Sequence, residues 1–91
     1  MRLTAAMLKE HHACAEQVVI FAAEWPAGCE VTEETLLRAR ELRLNLWWFA
    51  CEFLPAPFRA EYMRQMALLR VEFERQETLL LSSLFAQAER W

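Results

Sequence analysis

The chain has 91 residues, of which 56% are hydrophobic and 25% charged, and its formal net charge is −3. That length makes one domain with a modest core, the composition excludes a disordered chain, and the charge excludes an overall basic footprint for nucleic acid. Every acidic residue is Glu, every basic one except Lys9 is Arg, and there is a single Gly, so charged positions hold good helix formers and turns are few.

From Thr4 to Glu24 the positions Met7, His11, Cys14, Val18, Phe21 and Trp25 step by three or four, which predicts one amphipathic helix. Pro26 and Gly28 stop it. Thr32 is the next start signal, since its hydroxyl can cap free amides while Glu33 and Glu34 complement the positive helix end. That second helix carries Leu36, Leu37, Ala39 and Leu42. Leu42, Leu44 and Leu46 then alternate as in a strand, but a lone strand has no partner in a chain with no other strand signal. A break is expected instead, with Asn45 capping a short third helix that contains Trp47, Trp48, Ala50, Cys51 and Leu54. Pro55 and Pro57 end that element and reopen another.

The last segment, 56–90, contains no breaker beyond Pro57 and predicts one helix of about 50 Å. Glu61–Gln65 (EYMRQ) returns as Glu72–Gln76 (EFERQ), an offset of eleven residues. Eleven residues make almost three turns, so aromatic, Arg and Gln positions recur along one face. Leu79, Leu80, Leu81, Leu84, Phe85, Ala88 and Trp91 spread around more than one side, and that surplus predicts pairing with a second subunit or another protein. The expected fold is therefore all-α, a small bundle with three shorter helices and one long C-terminal helix. It forms a single domain over residues 1–91, with a helical head over 1–54. The expected interface residues are Tyr62, Arg64, Phe73, Arg75, Leu80, Leu84, Phe85 and Trp91.

Candidate chemistry is sparse. His11 and Cys14 lie three residues apart on the apolar face, but zinc requires further ligands, and neither Cys29 nor Cys51 supplies a second short pair. A Cys–His nucleophilic pair lacks an Asp to orient the imidazole, and a single Gly leaves no evident oxyanion cradle. The glutamates lack the Glu-x-x-His spacing of di-iron bundles. Packing is the simplest role for Cys14 and a half-buried His11. Trp47, Trp48, Phe49 and Phe53 have no interleaved basic residues, so they read as core or protein interface rather than a base-stacking platform or a DNA-recognition helix. No enzyme, metal or cofactor is expected.

Three cysteines without close spacing predict free thiols and a reducing cytoplasm. No apolar signal core follows Met1–Thr4. The densest apolar run, 44–54, is too short and too interrupted to cross a bilayer.

The string ACAEQVVIFAAEWPAGCEVTEETLLRARELRLNLWWFACEFL, residues 13–54, resembles a short helical module found in small uncharacterised phage and prophage proteins. The matching positions are Ala13-Cys14, Gln17-Val18, Phe21, Pro26, Gly28, Glu30-Val31-Thr32 and Trp48. Arg43 stands where that module usually has Gly, and Asn45 where it usually has Asp. The resemblance implies a mobile-element setting in a bacterial host and no activity. The expected function is that of a non-catalytic protein-binding protein, such as an anti-CRISPR-like inhibitor of a host CRISPR-Cas component. A homodimeric assembly or adaptor protein is the alternative.

Overall fold

The computed structural model describes residues 1–68 and 73–91, with the side chains of residues 73–75 excepted. In chain order the elements are β1 (Arg2–Leu3), α1 (Ala5–Glu10), α2 (Ala15–Glu24), β2 (Cys29–Glu30), α3 (Glu33–Glu41), α4 (Leu46–Phe53), α5 (Ala56–Leu68) and α6 (Phe73–Glu89). The fold is mostly helical, as expected from composition. Its one sheet is a two-residue antiparallel pairing, Arg2 opposite Glu30 and Leu3 opposite Cys29, which the sequence did not signal.

Several boundaries fall where side-chain chemistry predicts them. The Thr32 hydroxyl accepts the Thr35 N–H at 3.2 Å, and the Thr35 hydroxyl accepts the Thr32 N–H at 2.9 Å, a reciprocal box at the start of α3. Asn45 Oδ1 accepts the Trp48 N–H at 2.9 Å and starts α4. Pro55 supplies the first carbonyl of α5 to the Arg59 N–H at 2.9 Å, and Pro57 sits in the first turn, where its missing N–H costs nothing.

The predicted helix over 4–24 is instead two helices, with a break at His12. His12 has φ +62°, donates its N–H to the Lys9 carbonyl at 3.0 Å, and is followed by Ala13 donating to the Leu8 carbonyl at 3.0 Å. That bonding pattern is a Schellman termination, which uses a left-handed residue to satisfy the last helical carbonyls. Arg43 repeats it after α3, with φ +63°, Arg43 N–H on the Arg40 carbonyl and Leu44 N–H on the Ala39 carbonyl, both at 3.0 Å. Arg43 is the position at which the resembled module has Gly. Gly28 has φ +86°, and a Cβ there would lie 2.6 Å from the Leu3 carbonyl oxygen, so the turn into β2 requires glycine. The break also moves Cys14 from its expected place in the core to the exposed start of α2.

The single long helix predicted over 56–90 is likewise not observed. α5 and α6 pack against each other, and the Phe58 and Trp91 ring centroids are 5.8 Å apart. A straight helix would hold those rings about 50 Å apart. The molecule measures 33 × 28 × 20 Å, which such a rod would exceed. Much of the surplus apolar surface of α6 is covered by the chain itself, although Leu79 stays exposed. Leu81, Leu84 and Phe85 are buried, and the Phe85 ring stacks on Phe49 of α4 at 4.9 Å. These residues complete one core with Leu8, Val18, Phe21, Leu36, Leu46 and Leu54.

Candidate interaction surface

The most solvent-exposed aromatic side chains converge on α5. Phe58 and Tyr62 are one turn apart and therefore share a face. Trp47, from α4, tilts against Tyr62 at 5.4 Å between centroids, while Trp91, beyond the end of α6, meets Phe58 edge-on at 5.8 Å. The two anchoring rings are buried or half-buried, but the tryptophans that rest on them are 48% exposed at Trp47 and 76% at Trp91. The result is a continuous aromatic strip, Trp47–Tyr62–Phe58–Trp91, held by its inner members and open to solvent at its ends. Trp at the rim of a packed apolar patch is the residue type that dominates binding energy in protein interfaces.

Beneath the strip lies a polar pin. The Tyr62 hydroxyl donates to Glu77 Oε2 at 2.7 Å, and the Arg40 guanidinium pairs with Glu77 Oε1. Glu77 is 3% exposed, so its charge is compensated inside the protein by two partners from α3 and α5. Burial, and then the hydrogen bond to Glu77, push the Tyr62 phenol well above its ordinary range. Both carboxylate oxygens are engaged and shielded from solvent. The group holds three helices together and offers no accessible acid or base.

The expected interface residues are scattered among very different environments. Tyr62, Leu84 and Phe85 are inside the core, which corrects their assignment to a partner-facing surface. Leu80 is half-buried against the same core. Arg64 is exposed and bound by Glu61, with Nε at 3.0 Å and Nη2 at 2.6 Å from the two carboxylate oxygens. That contact, followed by the Gln65 amide, lowers the Glu61 carboxyl to about 2, and the pair presents no unbalanced Arg stripe. The side chains of Phe73 and Arg75, with most of those in the second copy of the eleven-residue repeat, lie outside what the structure describes. Trp91 is the hydrophobic side chain of the set that is both described and strongly exposed.

Sequence reasoning missed Trp47 and Phe58 as specific members of the surface. The Phe58–Tyr62 spacing was available as a signal. What it could not reveal was that residue 91 returns to residue 58.

The opening histidines serve packing and chain geometry. His11 is half-buried, its ring 4.3 Å from Phe53 and its Nδ1 3.4 Å from a Glu52 carboxylate oxygen, while His12 occupies the left-handed turn. Among the described residues, no group of three His, Cys, Asp or Glu side chains is placed to hold a metal ion, and no helix is long and apolar enough to cross a membrane. No family model matches this chain, nor does any curated protein or solved structure.

Proposed function

We propose that this is a non-catalytic binding protein that occupies a surface of a protein partner through the exposed indoles of Trp47 and Trp91, which the inner rings Tyr62 and Phe58 hold in place. The observation that carries the reading is the pair of tryptophans anchored on adjacent turns of α5 yet 48% and 76% exposed. Leaving two indoles in water forgoes about 25 cal/mol for each Å² that burial would remove. A partner that covers both rings recovers that energy, and the fixed inner rings reduce the entropy lost on binding.

The partner class comes from the module resemblance over residues 13–54. A phage or prophage protein acting in the bacterial cytoplasm meets host defence complexes, and a small protein can inhibit such a complex by covering a working surface. On that ground the target is a component of a CRISPR-Cas complex, a step that rests on analogy. The test is plating of a phage with and without the gene on a host carrying active CRISPR immunity. The proposal expects efficient plating only with the gene, and equal plating with and without it overturns the inhibitor reading.

The same strip supports a second reading, a homodimer in which two copies bury each other's tryptophans. Light scattering separates the two. The dimer reading expects a mass that doubles with concentration and reverts in Trp91→Ser, whereas the partner reading expects a monomer at all concentrations.

A further inference from the structure

A cavity of about 240 Å³ is lined by residues of α2, α3 and α4. Its floor is made by Phe21, Leu36 and Phe49, all buried, and its sides include the indoles of Trp25 and Trp48. The exposed residues in its lining, His12, Cys14 and Asn45, mark its mouth. We propose that this cavity binds a small uncharged aromatic molecule.

Size narrows the occupant first. Close-packed protein interiors leave few voids larger than a water molecule. An apolar cavity of about 150 Å³ stays dry and admits benzene, so this one accommodates a single substituted ring or a fused bicycle. It is smaller than the roughly 300–1,000 Å³ of pockets that hold drug-sized ligands and cofactors, which excludes a nucleotide. Chemistry narrows it further. No Lys, Arg, Asp or Glu lines the cavity, and its one histidine, His12, is at the exposed mouth, so a charged group inside would pay its desolvation uncompensated.

Two of the polar side chains at the mouth are engaged in building it. Gln17 Oε1 accepts the Asn45 N–H at 2.9 Å, and Asn45 Oδ1 accepts the Trp48 N–H at 2.9 Å. Phe21 and Trp25 are already in tilted contact at 5.1 Å, the arrangement that aromatic rings favour and that a third ring can extend.

A second observation sets this cavity apart from a packing defect. Among the described residues, the two non-glycine residues with positive φ, His12 and Arg43, border its mouth: His12 lines it directly, and Arg43 immediately precedes the lining residues Leu44 and Asn45. Backbone held in a sparsely populated region persists only where the surroundings over-determine it, and such positions cluster at ligand sites.

Titration of the full chain with fluorobenzene, followed by fluorine NMR, tests the proposal, with benzoate as the charged counterpart. The expected result is saturable one-to-one binding of fluorobenzene and none of benzoate. Ala39→Leu, which adds volume inside the cavity, should weaken binding by an order of magnitude while leaving the helical circular dichroism unchanged. Ala13→Leu at the mouth does the same if the first variant fails to fold. Absence of saturable binding up to the solubility of fluorobenzene overturns the proposal, as does equal binding of benzoate or binding that survives both fillings. Loss of binding in Trp91→Ser would move the ligand to the aromatic strip and would equally refute the cavity site.

Discussion

At the scale of single residues, three backbone positions and one phenol carry much of the local specificity. His12 and Arg43 adopt left-handed conformations, with φ of +62° and +63°, that cost an L-residue about 1–2 kcal/mol and cost Gly almost nothing. His12→Gly and Arg43→Gly should therefore each raise stability by about 1 kcal/mol, read as higher denaturation midpoints with unchanged slope. Gly28→Ala should do the reverse, by about 1–3 kcal/mol, because its Cβ would collide with the Leu3 carbonyl. Tyr62 is the only tyrosine in the chain, so tyrosinate absorbance reports on it alone. Its folded pKa is raised, chiefly by burial; the folded state therefore holds the proton more tightly than the unfolded state. The resulting stability is whole below about pH 10, the unfolded value, and is lost as pH rises above it. The phenol should ionise only together with alkaline unfolding, and a titration near pH 10 with native circular dichroism would contradict its burial.

At the scale of elements, the legible features are those whose chemistry is local. Thr32, Asn45 and the Pro55–Pro57 pair announce helix starts through side-chain oxygens or a missing N–H, and each start lies where those residues place it. The termination at His12 was hidden, because left-handed C-caps are recognised by Gly and this position has none, whereas the break at Arg43 was expected from the Asn45 cap that follows it. The return of α6 against α5 was hidden for a different reason. Nothing from 58 to 91 is Gly or Pro, and the residue that fixes the packing is Glu77, a charged side chain that becomes core only once Arg40 and Tyr62 surround it.

Tyr62→Phe removes one donor to that carboxylate and should cost about 1.5–3 kcal/mol. Glu77→Ala, which leaves Arg40 and Tyr62 without this partner, should cost about 3–5 kcal/mol. Through-space NMR contacts between the Phe58 and Trp91 rings are expected directly from their 5.8 Å separation. Their absence in the folded protein would restore the continuous helix.

At the scale of the whole molecule, the fold-back converts a chain that looked too apolar for its size into a closed core with two localised apolar features. Leu81, Leu84 and Phe85, which seemed to require a partner, are satisfied internally. The exposed indoles gather on the strip along α5, single exposed side chains such as Val19 and Leu68 lie elsewhere, and what remains unfilled is the cavity beside α2. The sequence named two members of the strip, Tyr62 and Trp91, of which only Trp91 is exposed, and the other expected positions were drawn from the geometry of a straight helix.

The central claim is that the exposed indoles carry the protein's function. It is tested most directly by the Trp47→Ser/Trp91→Ser double variant in the phage plating assay. Both side chains are substantially exposed, so the variant should keep the helical fold. The account predicts that it loses protection against CRISPR immunity while remaining folded and expressed. Full protection by the folded double variant would contradict it.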